Sequence, residues 1–336
     1  MAELTGRAEP APPPWSYAVR DLVVRFAPQL LLVVLVVALL LVEPSTLRPG
    51  NIVNVLVAAA PIATLALGAM WVFIGGGLDL SAGYGVAMCA LVLGANLQGG
   101  TPLGVAVGQA VLAGMLLGLT NGVLVGVVGM PAFIATLATM VCVQGVTLVL
   151  GGVGTVIIDN AVLTLIGTGE LGGVPTPILY ALGVAVLVWV LLRSSAFGLR
   201  TYALGSNREA AVTRGVPAVR QDVLVYVFSG LMTAVTAILL VARVQIVDPK
   251  IAGLNLLLDA FAAAILGGTS LFGGRGSVFG TVTGALIISL ITTSLVTLGV
   301  GAQNVQLLKG AMIVVAVVVD ALVRALERQQ PASVEA

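Results

Sequence analysis

Residues 26–42 read FAPQLLLVVLVVALLLV, without a single charge, and such a run approaches the roughly 20 apolar residues that an α-helix needs to cross a bilayer. Residues 312–319, with their flanks, form a comparable run near the other end. Between them the chain keeps the same character: of 336 residues, 59% are hydrophobic and 9% are charged, against about 25% charged in an average soluble domain. A soluble core cannot absorb that much apolar surface, so lipid is the solvent and the fold is an all-α polytopic membrane protein. Forty-two glycines far exceed the usual share of about 7%. Small residues let transmembrane helices approach closely, so a tight bundle is expected.

Breaking the chain at Pro, Gly and charge clusters gives apolar segments at 27–43, 53–74, 81–98, 103–128, 132–150, 177–193, 221–242, 258–271, 277–298 and 304–323, about ten transmembrane helices. The eighth is short, and the Gly-rich stretch 266–276 could make it partial or re-entrant, tolerated only where protein buries the irregular backbone. A cytoplasmic N-terminus puts Arg7, Arg20, Arg25, Arg193, Arg200, Arg208, Arg214, Arg220, Arg275, Arg324 and Arg328 inside, eleven of the fifteen basic residues. Arg48, Arg243 and Lys250 then lie on outer loops, and Lys309 near the start of the last span. Both termini are therefore expected in the cytoplasm, with residues 1–25 an N-terminal segment, 26–323 the transmembrane domain and 324–336 a tail. The segment 1–25, Pro-rich over 10–14, reads as a disordered lead with a short interfacial piece around Tyr17, Arg20 and Arg25. No small-residue cleavage site of the usual kind follows the first apolar run, which makes it a retained anchor.

Several function classes fall away. A net charge of +1 offers no electrostatic footprint for nucleic acid. The absence of His removes the commonest metal ligand and proton shuttle. Cys89 and Cys142 sit in apolar stretches and read as small hydrophobes. No GxxxxGK[ST] phosphate loop occurs, and GRGSVFG at 274–280 is one residue too long for the GxGxxG dinucleotide pattern. The chain thus carries no catalytic or metal site of its own, and any ATP must be hydrolysed elsewhere.

Two connections are longer than turns. Residues 151–176 are weakly apolar and predict a short helix resting on the outer face of the bundle. Residues 194–220 are polar and inside, and hold an EAAxxxG pattern at Glu209, Ala210, Ala211 and Gly215. Asn207 can cap a short helix with Glu209 in its first turn, and Gly215 and Pro217 can end it. A solvated loop helix would look similar, but its central place on the positive side favours a docking element for a moving partner.

With these residues the chain resembles the permeases of binding-protein-dependent importers for ribose, xylose, galactose and related small polar compounds. The motifs are GGGLDLSAG (75–83), PAFIATLATM (131–140), GVPTP (173–177), GLRTYALGSNREAA (198–211), LDAFAAAILGGTSLFGGRGSVFGTVTGAL (258–286) and LLKGAMIVVAVVVD (307–320). Their order is specific where no single one would be, and the resemblance covers nearly everything after the first span. It implies a type II ABC importer-like permease fold in a bacterial inner membrane, paired ATP-binding subunits carrying ATP and Mg, an extracytoplasmic solute-binding protein and a second permease copy. It also implies that Ala203, Leu204, Gly205, Ser206, Asn207, Arg208, Glu209, Ala210, Ala211 and Gly215 form the ATPase-coupling element.

Candidate pathway groups are few. Asp79 and Ser81 can cap the third span, which is their first reading; a substrate contact is the second, because a carboxylate this near a membrane helix must be solvated or paired. Asp259 begins the eighth span, and Thr269 and Ser270 sit in its Gly-rich exit. Asn121, Phe133, Thr136, Gln144 and Asn255 are polar or aromatic positions in or beside apolar segments that could face a pathway; helix-to-helix hydrogen bonding is an equal account of the polar ones, and packing is the first reading of Phe133. Lys309 could snorkel, the first reading, or neutralise a carboxylate. An ion-coupled secondary transporter would need ionisable groups at membrane depth, and Asp79, Asp259 and Lys309 are a thin supply. An intramembrane enzyme lacks a paired carboxylate, a His cluster or a nucleophile with its base. Among importers the rival cargo is branched-chain amino acids; the GGTSLFGGRGSVFGT and LGSNREAA runs lie closer to the sugar branch, which points to a monosaccharide or related polyol.

Overall fold

A computed structural model describes residues 14–44, 48–151, 155–249, 251–301, 303–311, 314 and 318, with side chains from residue 26 onward except at 42 and 150. Helix α1 (Pro14–Val42) opens on a proline, which suits the first helical turn because its missing N–H would have had no partner there. With no Gly or Pro between residues 15 and 25, the helix runs unbroken into the apolar stretch and starts well before the expected residue 27. The expected disordered lead over residues 1–13 and the tail 324–336 lie outside the described residues.

The bundle continues through α2 (Pro49–Ile74), α3 (Ala82–Gln98), α4 (Leu103–Gly122) with a π-helical turn at Val123–Val127, and α5 (Ala132–Gly151). After α6 (Ala161–Thr168) come α7 (Thr176–Ser194), α8 (Ala196–Ser206), α9 (Arg208–Thr213), α10 (Ala218–Val244), α11 (Leu254–Leu266) and α12 (Val278–Thr297). Residues 303–311 are again helical.

Among the described residues, six helical stretches are long and apolar enough to cross a membrane: Pro49–Ile74, Leu103–Val127, Ala132–Val149, Thr176–Ser194, Ala218–Val244 and Val278–Thr297. Phe26–Leu41, Ala82–Gln98 and Leu254–Leu266 are apolar but shorter. Nine of the ten expected segments thus correspond to apolar helices, while the length criterion is met by six. Helix α11, at 13 residues, covers about 20 Å of a hydrocarbon core about 30 Å thick. The glycine-rich backbone of residues 267–277 follows it, and the expected segment 258–271 ends its helix at Leu266. The tenth segment, 304–323, is only partly among the described residues.

Helix α2 is the core of the bundle. Its second half is buried on every side, with Trp71, Phe73, Met70 and Leu67 fully enclosed, and it packs along α10, α11 and α12. An all-round apolar helix has no polar face to turn outward, so it settles inside. Helices α4 and α10 form the closest pair. On α4, Gly114, Gly118 and Gly122 repeat every four residues; a Cβ on Gly118 would stand 2.2 Å from the Tyr226 carbonyl oxygen, and one on Gly114 would stand 2.4 Å from that of Gly230. Only glycine lets the backbones meet there, which realises the tight packing expected from composition.

At one end of the bundle, α6 lies across the end of α10, with Leu163 fully buried. Asn160 caps α6 by accepting from Val162 N and Leu163 N, and the Thr176 hydroxyl donates to the Leu165 carbonyl oxygen at 2.7 Å, with those of Ile166 and Gly169 close by at its end. Two antiparallel pairs complete this end: β1 (Val156–Ile157) with β4 (Ile246–Val247), and β2 (Glu170–Leu171) with β3 (Val174–Pro175). The short helix expected within 151–176 is therefore present. Helices α8 and α9 lie at the opposite end, against the start of α10.

Candidate functional site

The loop between α7 and α10 folds into two consecutive capped helices. The Ser195 hydroxyl accepts from Gly198 N to start α8. Asn207 Oδ1 accepts from Ala210 N at 3.0 Å to start α9, whose first turn carries Glu209. At its end, Gly215 takes φ +84°, and Gly215 N and Val216 N donate to the carbonyl oxygens of Val212 and Ala211. That left-handed position is what a glycine supplies without steric cost. Ser206, Asn207, Arg208, Glu209, Ala210 and Gly215 are exposed, Ala203 and Gly205 half-buried, and Leu204 and Ala211 face inward. Helix α9 therefore presents Glu209, Ala210 and Val212 outward on a short rigid element.

Two contacts fix this element to the bundle. Arg208 forms a bidentate pair with Asp222 at the start of α10, at 3.2 and 2.6 Å; that bond holds the Arg208 guanidinium pKa above its ordinary value. Helix α8 seats by backbone contact: a Cβ on Gly205 would stand 1.8 Å from the Ile74 carbonyl oxygen and 2.7 Å from Gly274 N. That same carbonyl accepts from Gly274 N at 2.9 Å, and the Tyr202 hydroxyl donates to the Gly276 carbonyl at 2.6 Å. Trp71 Nε1 donates to Thr201 Oγ1 at 3.0 Å, while Trp71 stacks on Phe197 with ring centroids 4.7 Å apart. Helix α8 thus contacts both glycine-rich segments, 75–81 through Gly75 against Thr201 and 267–277 through Gly273 and Gly274 against Gly205 and Ser206.

The first segment carries the main polar cluster. Asp79, 3% exposed, accepts from Ser81 N at 3.1 Å and Ser81 Oγ at 2.7 Å through Oδ1, and from Ser229 Oγ at 2.8 Å through Oδ2. Asn121 Nδ2 donates to Asp79 Oδ1 at 3.3 Å and to Ser81 Oγ at 2.7 Å, while Asn121 Oδ1 accepts from Thr139 Oγ1 at 2.6 Å. Next to it, the Leu78 carbonyl accepts from Thr136 Oγ1 and Tyr226 OH, both at 3.2 Å. Hydrogen-bond donors alone surround the carboxylate: no ion pair to Asp79 occurs among the described residues. A buried carboxyl group is tolerable only when its oxygens are satisfied in this manner. A cavity of about 300 Å³ opens between Gly75, Gly76 and Gly77 on one side and Arg208, Gln221 and Tyr226 on the other.

Of the pathway candidates, Asp79, Ser81, Asn121 and Thr136 come together in this cluster. The others do not join it. Gln144 Nε2 donates to Tyr84 OH at 3.0 Å. Asn255 Oδ1 accepts from Gln306, and Asp259 is held by Lys309 Nζ at 2.9 Å. Lys309 therefore neutralises a carboxylate rather than snorkelling, because Asp259 lies facing it across the two helices. Thr269 reaches Thr281 at 3.4 Å, the backbone of Ser270 bonds that of Arg275, and Phe133 is exposed. Ser81 precedes α3 without capping it through its side chain; its hydroxyl goes to Asp79 instead. Sequence reasoning missed Ser229, Tyr226, Thr139 and Tyr202. Ser229 is the one serine in the apolar run of α10 and Thr139 stands one turn from Thr136, which are the local signals available.

This is a multi-pass membrane bundle with a capped helix exposed at one end. A family described as "Branched-chain amino acid transport system / permease component" matches residues 51–317, and the chain belongs to it. The chain is 39% identical over 303 residues to a ribose import permease protein of Bacillus subtilis, covering 88% of this chain and 92% of that one. It is 35% identical over 271 residues to a galactofuranose transporter permease protein of Escherichia coli, 81% of this chain and 80% of that one. It is 31% identical over 278 residues to a D-allose transport system permease protein of Escherichia coli, covering 82% and 85%. No solved structure matches.

Proposed function

We propose that this chain is the transmembrane permease subunit of an ATP-binding cassette importer that moves a monosaccharide or related small polar solute. An extracytoplasmic binding protein delivers the solute, and ATP with Mg is hydrolysed on partner subunits. The observation that carries this reading is α9: a helix capped at both ends, exposed through Glu209, Ala210 and Val212, and pinned to α10 by Arg208 and Asp222. A moving partner needs such a rigid handle. Two copies of the chain surround the pathway in a type II arrangement, each with ten spans and both termini in the cytoplasm of a cell with this permease in its inner membrane.

The relatives named for ribose, galactofuranose and allose transport favour a sugar as cargo. Branched-chain amino acids are the second reading, favoured by the description of the matching family. An ion-coupled carrier is disfavoured, because Asp79 and Asp259 are each satisfied within the protein. Identifying the binding protein that co-purifies with the assembled transporter, together with its bound ligand, tests class and cargo at once. A bound sugar is expected. A bound branched-chain amino acid would select the second reading, and uptake driven by an ion gradient without ATP would overturn both.

A further inference from the structure

Helix α10 connects the exposed helix α9 to the buried carboxylate. Asp222, Tyr226 and Ser229 stand at i, i+4 and i+7, so they share one face of the helix. They span about 10 Å along its axis at 1.5 Å per residue. At the lower end Asp222 holds Arg208 of α9. At the upper end Tyr226 OH donates to the Leu78 carbonyl and Ser229 Oγ to Asp79 Oδ2. The direct line from Arg208 to Gly75, Gly76 and Gly77 crosses the open cavity of about 300 Å³ instead of packed side chains. A displacement of α9 therefore has a path to residues 78–81 through α10, beside the one through α8 and its seat on Ile74 and Trp71.

We infer that Tyr226 and Ser229 are positioning residues that carry the stroke of the coupling helix to Asp79 and, through it, to the ends of α3, α4 and α5. This rests on the importer reading above. The chain of contacts continues without a break: Asp79 accepts from Asn121 of α4, and Asn121 accepts from Thr139 of α5. Helix α10 is also locked to α4 by the glycine seam at Gly114, Gly118 and Gly122. The hub and that helix pair consequently shift as one body, since packed backbones at such distances have no slack. Asp79 accepts at both side-chain oxygens, from Ser81 and Asn121 at one and from Ser229 at the other, whereas an amide has one accepting oxygen, which is why a carboxyl group rather than an amide suits the far end.

The test is the double variant Ser229→Ala with Tyr226→Phe, made in the full transporter reconstituted with its ATP-binding subunits and binding protein. It cuts both bonds from α10 to residues 78 and 79 and leaves Arg208, Asp222 and the seat of α8 untouched. ATP hydrolysed per solute imported is expected to rise about fivefold or more, the lower range of typical inter-site coupling. Amide exchange at residues 78–82 of the purified chain is expected to quicken. Ser289→Ala, which removes an equally buried hydroxyl bond to Val55 O, serves as the structural control and leaves the ratio unchanged. A parallel fall in hydrolysis and uptake with an unchanged ratio overturns the inference, and so does unchanged exchange at 78–82. Failure of the wild-type assembly to import with ATP counts against the importer reading, while the exchange measurement still decides whether α10 tethers the loop.

Discussion

The two glycine-rich segments under α8 have similar sequences of small residues and different contents. Residues 267–277 offer backbone: the Gly274 amide joins Ile74, the Gly276 carbonyl takes Tyr202, and Thr269 reaches Thr281 over a long 3.4 Å. Residues 75–81 offer a buried carboxylate on which hydroxyls or amides from three further helices converge, directly or through one another. One segment is a seat and the other is a hub. Glycine content alone does not distinguish them; the single aspartate does, because its two buried oxygens must be satisfied and gather the donors within reach.

Gly205→Val attacks what the segments share and carries the largest effect. The new side chain collides with the Ile74 carbonyl, so α8 must leave its seat, at a cost of about 4 kcal/mol or more; thermal unfolding in detergent and loss of uptake report it. Asp79→Ala comes next and breaks only the hub. It orphans donors on Ser81, Ser229 and Asn121, each at about 1–3 kcal/mol, whereas Asp79→Asn, which keeps an acceptor, costs visibly less; comparing the two unfolding temperatures checks this. Tyr202→Phe removes one bond from the seat, for about 1 kcal/mol, and accelerates amide exchange at 273–277 but not at 78–82. Arg208→Ala costs under about 1 kcal/mol of stability, since the guanidinium is largely exposed, yet it lowers uptake; a stability loss without an uptake loss would blur the distinction between α9 and a plain surface helix. Thr269→Val is the mildest, at about 0.5 kcal/mol, measured by the same unfolding assay.

What could be read from sequence was local. Asn207, Glu209 and Gly215 announce α9 because a cap, a first-turn acid and a left-handed terminator act within a few residues of one another. The apolar helices were likewise legible from runs of uncharged residues, although α1 begins at Pro14 and not near residue 27. The hub was only half legible. Asp79, Ser81, Asn121 and Thr136 stood out as polar residues in apolar surroundings, but their convergence depends on contacts up to 150 positions apart, and Ser229 and Tyr226 carry no local signal of it. The ion pair of Asp259 with Lys309 was hidden for the same reason: each residue alone has a comfortable solution at an interface, and only the packing of two helices brings the charges to 2.9 Å.

In the proposed importer, α9 is the handle by which ATP hydrolysis drives transport. Uptake by proteoliposomes containing the chain, its ATP-binding subunits and the loaded binding protein measures this directly when wild type is compared with Glu209→Arg. Wild type is expected to import only with ATP, and Glu209→Arg, folded and inserted to the same extent, to lose uptake by about tenfold or more. Undiminished import by Glu209→Arg with a normally assembled ATPase would contradict it.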